Sequence, residues 1–578
     1  MGICRTKIIG VLLLGLVPSL LFASADLARI KQTLVDKSYG NYWERLTAIN
    51  NLKSVNSKEA AVMLVALFDD EEAPIRESAL MTLGNFTDQG AIDYLVAAAL
   101  VNPQSKPQRF YTAWVLGIIA ANPSRIVTGR EGGPSGKDET ILPPLLKALN
   151  NEAEEEVASR IINTIGVLPN GSQAEDILIK RLSDNRLAVR VSAIESLGRM
   201  GSAKSYISIL KRAYDSNPTV KTAALGALAQ IKPQESTGYL DSALKDPLPE
   251  VRITAIETLT KYKSDKALIL KSASDLLRDK NSAVCATAVQ CLRELRETGS
   301  VKALVERLPD ASWRLRYDLI TALKDLTGKE FGFDAKAWFN WYQVNKEKIE
   351  IAPPLTESRM GKQNGIPANR GANKESDLPL KSNETIPTFF DIPILGRDVV
   401  FIIDFSRSMK NEAEDNDDKK ERKADIAINE LTETLKRFSS EVRFNIIILS
   451  TEAARYGKRK ASKTMLQATE ENKKAALKFV SSLWDRLEDI KRGRGDHYDA
   501  MIEAFSEPEI DTVFLLSDGR PTYGTYINKD NIVENIARNN RFKKVVINTI
   551  ITGNKGTKKD RELMEELAEM TNGVCVEK

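Results

Sequence analysis

With 578 residues, 42% of them hydrophobic and 28% charged, the chain is too long for one hydrophobic core and has the balance of a multidomain globular protein. Its net charge is +4, of which Arg5 and Lys7 supply two, so electrostatics gives no case for nucleic acid or an anionic membrane as partner. The one histidine and four cysteines form no metal-ligand cluster, so a zinc site is not expected.

In chain order, Arg5 and Lys7 precede an apolar run from Ile8 to Leu21 and then Ala23-Ser24-Ala25. A charged start, a short apolar stretch and a small-x-small site predict a secretory signal peptide over 1–25. The apolar run is shorter than the ~20 residues that cross a bilayer, and no cysteine follows it to carry a lipid. The expectation is an exported protein, periplasmic or extracellular, with no stable membrane span after cleavage. Cys4 leaves with this segment, and Cys285 and Cys291 read as small buried hydrophobes rather than a disulfide.

Between about 40 and 345 one pattern recurs, clearest as Val189-Arg190-x-x-Ala193-Ile194-x-x-Leu197 and Val251-Arg252-x-x-Ala255-Ile256-x-x-Leu259. Its first position falls at Ile75, Gln108, Val157, Val189, Val220, Val251, Val284 and Leu315. The one long gap holds the Gly129–Lys137 loop insertion. Each copy predicts an amphipathic helix followed by a second one, a unit that buries its faces only by stacking on its neighbours. An aspartate stands six residues before the basic position in Asp70/Arg76, Asp184/Arg190, Asp215/Lys221, Asp246/Arg252 and Asp310/Arg316. Both registers resemble HEAT repeats, which implies an all-α solenoid whose Asp and Arg residues form a ladder between units. Cys285 replaces the basic residue after Asp279, so the ladder is expected to be weaker there. Trp338, Phe339, Trp341 and Tyr342 read as the cap of the array. The segment 346–386 is rich in Pro, Gly, Asn and Ser and reads as a flexible linker.

From 387 to 578 apolar strands alternate with amphipathic helices, which predicts an α/β doubly wound, Rossmann-like domain with a parallel sheet between helices. Strands are expected at Val399–Asp404, Val442–Ser450, Thr512–Asp518 and Val545–Thr552, with helices near Lys423–Phe438, Asn472–Leu483, Tyr498–Phe505, Asn531–Asn540 and Asp560–Met570. The first strand ends in Asp404, and Ser406 and Ser408 follow at alternate positions. Carboxyl ends of such strands are where open α/β sheets place ligand sites. One carboxylate and two hydroxyls are hard oxygen donors, suited to Mg²⁺, Mn²⁺ or Ca²⁺.

The Asp-x-Ser-x-Ser spacing, with Leu515-Leu-Ser-Asp518-Gly519 at the end of a second strand, resembles the metal-ion-dependent adhesion site of von Willebrand factor type A domains. The resemblance implies a divalent cation, Mg²⁺ first and then Mn²⁺ or Ca²⁺, held by Asp404, Ser406, Ser408 and Asp518. Where the family places a threonine on its second loop this chain has Gly495, and the neighbouring Asp496 is the substitute ligand expected. It also implies a protein partner, bound through an acidic residue that completes the ion's coordination. Family members that switch affinity carry a further C-terminal helix; here the chain stops soon after the last strand, so piston-like switching is not expected. His497 reads as a polar packing residue. No nucleophile–base pair, no paired acid/base carboxylates and no cofactor fingerprint stand out, so the expectation is a non-enzymatic binding, adhesion or scaffold protein. The alternative is a metal-free assembly scaffold that binds through its repeat surface.

Overall fold

The computed structural model describes residues 27–37, 41–100, 105–121, 138–353, 386–411, 422–450, 460–487, 494–552 and 558–578. The expected signal peptide, the Gly129–Lys137 insertion and most of the expected linker lie outside these residues. The chain divides into two compact units, Met1–Ile231 and Lys232–Lys578, so the boundary falls inside the stretch read as one repeat array. Among the described residues no helix is long and apolar enough to cross a membrane.

The first unit is built of helix pairs. Helix Leu187–Arg199 packs against both Glu155–Ile165 and Pro218–Ile231, each two helices away in sequence, which is the stacking that the repeat spacing requires. The first pattern position is fully buried at Ile75, Val157, Val189 and Val220, as it is at Val251 and Val284 in the second unit. Gln108 is the departure, a polar residue left half-buried.

The recurring aspartate and basic residue form the expected ladder at some rungs, Arg252 to Asp279 among them, and also bond within their own repeat. The carboxylate of Asp184 accepts from the backbone N–H of Arg186 at 3.0 Å and so caps the turn between the paired helices. Asp70, Asp215, Asp246 and Asp279 do the same two residues onward. The basic side chain then reaches back to the carbonyl of that aspartate: Arg190 Nη1 to Asp184 O is 2.8 Å, and Arg252 Nη1 to Asp246 O is 2.8 Å. These are contacts within a repeat.

Contacts between repeats occur where a basic residue also reaches the acid of the following copy. Arg109 grips Glu152 through Nε at 2.7 Å, and Arg252 grips Asp279 through Nε at 2.8 Å and Nη2 at 2.7 Å. Glu152 holds the acidic place six residues before Ala158, a match hidden by reading aspartates alone. The expected weak rung at Asp279 is therefore misplaced. Asp279 is held from the preceding repeat, and Cys285 Sγ takes over the within-repeat bond to the Asp279 carbonyl at 3.2 Å. The gap falls one repeat later. Among the described residues Asp310 pairs with Arg278, at 3.2 Å, with both side chains more than half exposed. The three described cysteines, Cys285, Cys291 and Cys575, are free.

The second unit continues with helices Pro249–Lys261, Ser282–Leu295 and Trp313–Thr327 stacked in turn. Its expected aromatic cap divides in two. Trp338 is fully buried, edge-on to Phe331 at 4.9 Å, and its indole N–H donates to Gly332 O at 3.0 Å, whereas Phe339 is exposed. The same unit holds the α/β domain, and Glu257 of the helices accepts from Lys544 at 2.7 Å and Arg541 at 3.4 Å. Part-exposed pairs of this kind contribute up to about 1 kcal/mol each.

The α/β domain opens with a small antiparallel hairpin, β1 (Thr388–Phe389) and β2 (Ile392–Pro393). A six-stranded sheet follows, made of β3 (Asp398–Asp404), β4 (Arg443–Leu449), β5 (Leu466–Gln467), β6 (Thr512–Ser517), β7 (Val546–Ile551) and β8 (Cys575–Glu577), in the order β5-β4-β3-β6-β7-β8. The all-parallel sheet expected is mixed at one edge, because β5 pairs antiparallel with β4 through Arg443–Gln467 and Phe444–Leu466.

The apolar run of β3 is explained by burial on both faces. Val399, Phe401 and Ile403 point into a core shared with Ala424, Ala427, Leu431 and Leu435 of helix Lys423–Lys436. Val400 and Ile402 point the other way, toward Ala500, Met501 and Ala504 of helix His497–Phe505 and Ile532 and Ile536 of helix Lys529–Asn540. Gly573 allows the last crossover to close: a Cβ there would lie 1.9 Å from Ile547 O.

Candidate metal-binding site at the switch point of the sheet

After β3 the chain lays β4 on one side, then crosses to lay β6 on the other. That reversal falls at the carboxyl ends of β3 and β6, the place where doubly wound sheets bind ligands. Asp404 is the last residue of β3, and Asp518 directly follows β6. The sequence separates them by more than a hundred residues; strand pairing makes them neighbours.

The two serines bridge them. Ser406 Oγ lies 3.0 Å from Ser408 Oγ, and Ser408 Oγ donates to Asp518 Oδ1 at 2.8 Å. Asp404 Oδ1 accepts from the Ser406 N–H at 2.6 Å, which folds the loop back over the strand end. The short helix Arg407–Lys410 then presents Ser408 to solvent, so the buried carboxylates have one open side. In an octahedral Mg²⁺ shell with bonds near 2.1 Å, adjacent oxygens stand about 3 Å apart. The spacings among Ser406, Ser408 and Asp518 fit that shell.

Asp404 is 2% exposed, and burial, with the Asp518 carboxylate beside it, pushes its carboxyl up to about 6. A buried like-charged pair is what a cation would relieve. Two residues not singled out in the sequence complete the surroundings. Lys423 Nζ donates to Asp518 Oδ2 at 2.8 Å. Ser517 Oγ donates to Asp404 Oδ2 at 2.5 Å and sits 3.0 Å from His497 Nε2. Ser517 spends its one proton on Asp404, so His497 must be the donor in that second bond. The order Asp–Ser–His leaves the serine unactivated and buried at 1% exposure, the reverse of a nucleophile–base pair. Burial also pulls the His497 imidazole down to about 4, which keeps it neutral.

Gly495 also finds a local reason. A Cβ there would come within 3.1 Å of His497 Cε1 and 3.4 Å of Leu449 Cδ2, so the buried imidazole occupies the room a threonine needs. Thr522 folds against the same residue, its hydroxyl accepting from the Gly495 N–H at 3.1 Å. Asp496 is 2% exposed at the start of helix His497–Phe505, where its carbonyl accepts from Ala500 N–H at 3.1 Å. Among the described residues no three Asp, Glu, His or Cys side chains form a metal-holding group, so the convergent set is two carboxylates and two hydroxyls. Of the acidic stretch Asn411-Glu-Ala-Glu-Asp-Asn-Asp-Asp418, which follows the Ser406–Ser408 loop in the sequence, only Asn411 is among the described residues.

A family model described as HEAT repeats matches residues 142–225 and 207–270. The N-terminal region is built of HEAT repeats. Among solved structures, the complex of Kap95p with RanGDP is 15% identical with a TM-score of 0.38, over 56% of this chain and 47% of that one. Kap121p bound to Pho4p is 14% identical with a TM-score of 0.37, over 51% of this chain and 36% of that one. The CpcE–CpcF complex of phycocyanin lyase from Nostoc is 16% identical with a TM-score of 0.26, over 51% of this chain and 93% of that one. This chain thus spans about half of the Kap95p chain, and none of these likenesses bears on what it binds. No curated protein matches the sequence.

Proposed function

We propose that the C-terminal domain is a von Willebrand factor A-type domain holding a divalent cation, Mg²⁺ by the hardness of its donors, through Asp404, Ser406, Ser408 and Asp518. In this reading the protein is an exported, non-enzymatic binding scaffold. Its cation accepts an acidic side chain of a protein partner on the open side beside Ser408, and its HEAT repeats supply a second protein-binding surface. One observation carries the reading: two carboxylates and two serine hydroxyls meet at the topological switch point, and the oxygens of Ser406, Ser408 and Asp518 stand 2.8 to 3.0 Å apart in succession, as in a metal's oxygen shell. Asp496, expected as the substitute for the missing threonine ligand, lies outside this set of four side chains.

The metal-free alternative is favoured by the Lys423–Asp518 pair, which supplies an internal positive charge to the same site. Electron paramagnetic resonance of Mn²⁺ added to the whole chain separates the two. One bound Mn²⁺ per chain is expected, displaced by Mg²⁺ and abolished by Asp518→Ala, with a spectrum that changes when a glutamate-bearing peptide is added. No bound Mn²⁺ in the wild type would leave the metal-free scaffold.

A further inference from the structure

We propose that Lys423 is a tethered competitor for the cation, so that a divalent ion enters the site only by displacing its ammonium group from Asp518. This rests on the reading of Asp404, Ser406, Ser408 and Asp518 as an ion site. Three features of the chain carry it. The contact is direct: Nζ lies 2.8 Å from Asp518 Oδ2, while Ser408 holds Oδ1 at 2.8 Å, so both oxygens of the carboxylate are engaged. It is shielded, with the lysine side chain 15% exposed and the aspartate 3%, so solvent does little to weaken its field. And it is fixed in place. Lys423 is the first residue of helix Lys423–Lys436, whose next residue, Ala424, is buried against the sheet. Its backbone N–H donates to Asn411 O at 3.2 Å, which ties it to the end of the loop that carries Ser406 and Ser408.

The charges explain why lysine and ion exclude one another. Asp404, Asp518 and Lys423 sum to one negative charge. A divalent ion added without moving the lysine would leave a net positive charge, with cation and ammonium on two oxygens of one carboxylate. If the ammonium instead swings out, the pocket regains both carboxylate charges for the ion. The lysine thus serves as the counter-charge of the ion-free state and lowers the site's affinity for the ion. An ion-free protein stays folded, and occupancy then follows the ion concentration outside.

Isothermal titration of the EDTA-stripped whole chain with MgCl₂ tests this on wild type, Lys423→Gln and Lys423→Arg, with thermal unfolding of each in EDTA. Lys423→Gln is expected to bind Mg²⁺ roughly 10- to 100-fold more tightly than wild type and to melt at a lower temperature in EDTA, because the buried carboxylates lose their counter-charge. Lys423→Arg keeps the charge and should stay close to wild type in both. Equal Mg²⁺ affinity in wild type and Lys423→Gln would overturn the competition while leaving the ion site standing, as would tight binding by Lys423→Arg. Binding by none of the three would overturn the ion site itself, and the competition with it.

Discussion

Replacing Asp279 with alanine is expected to destabilise the second unit by about 3–5 kcal/mol, seen as a large drop in its urea midpoint. Arg252 and Asp279 form a two-point pair, Nη2–Oδ1 at 2.7 Å and Nε–Oδ2 at 2.8 Å, with both side chains under 10% exposed. Removing one member strands a buried charge, which costs more than the pair contributed. The figure lies toward its lower end, because Arg252 keeps the carbonyls of Asp246 and Pro247 at 2.8 and 3.1 Å. Asp279→Asn is the informative companion. It keeps an acceptor for the Asn281 N–H, so the difference between the two variants isolates the turn cap from the charge. Asp310→Ala, which removes the exposed counterpart, should cost under about 1 kcal/mol. Equal effects at Asp279 and Asp310 would mean that the rungs are interchangeable and that burial does not decide their strength.

The second large effect is expected at the centre of the α/β domain. Phe401 is fully buried in the middle of β3, with ring centroids 5.0 Å from Phe389, 5.5 Å from Phe514 and 6.1 Å from Phe438. Phe401→Ala removes the ring that joins the hairpin, β3 and β6, at a cost of about 3–5 kcal/mol for the cavity. The lost aromatic pairs add about 1 kcal/mol. Because Asp404 and Asp518 are brought together only by the pairing of β3 with β6, this variant should also weaken any bound ion, without touching a single site oxygen. Phe401→Leu should recover most of both losses. A Phe401→Ala protein with a wild-type urea midpoint would show that the ring cluster is not the domain's core.

How far the sequence reveals this molecule depends on how local each signal is. The repeat register and the buried strands are periodic patterns, so Val189, Val251 and Val399–Asp404 identify their own environments before any contact is known. The first three long strands lie within one residue at either end of the reading: Asp398–Asp404, Arg443–Leu449 and Thr512–Ser517. The two-residue β5 escapes because two residues carry no alternation, and with it goes the antiparallel edge. The second role of the repeat charges, within the repeat, stays hidden for a similar reason. Spacing shows that Asp246 and Arg252 are six apart, but whether the guanidinium meets the carboxylate or the carbonyl is settled by helix-turn geometry. In the site, Asp404, Ser406, Ser408 and Asp518 are legible because each ends or follows an apolar strand. Ser517 hides inside the run Leu515-Leu-Ser-Asp518, where it reads as one more strand residue. Lys423 opens a helix 95 residues before Asp518, and nothing local connects them.

The functional reading rests on whether the switch-point oxygens hold an ion. Thermal unfolding of the whole chain after EDTA stripping, titrated in turn with Mg²⁺, Mn²⁺ and Ca²⁺, tests that most directly. Binding to the folded state stabilises it by about 2.7 kcal/mol at a hundredfold excess over Kd. A concentration-dependent rise in the melting temperature of the α/β domain is expected, greatest with the ion the site prefers and lost in Asp404→Ala. Superimposable melting curves with and without every ion, in wild type and Asp404→Ala alike, would contradict it.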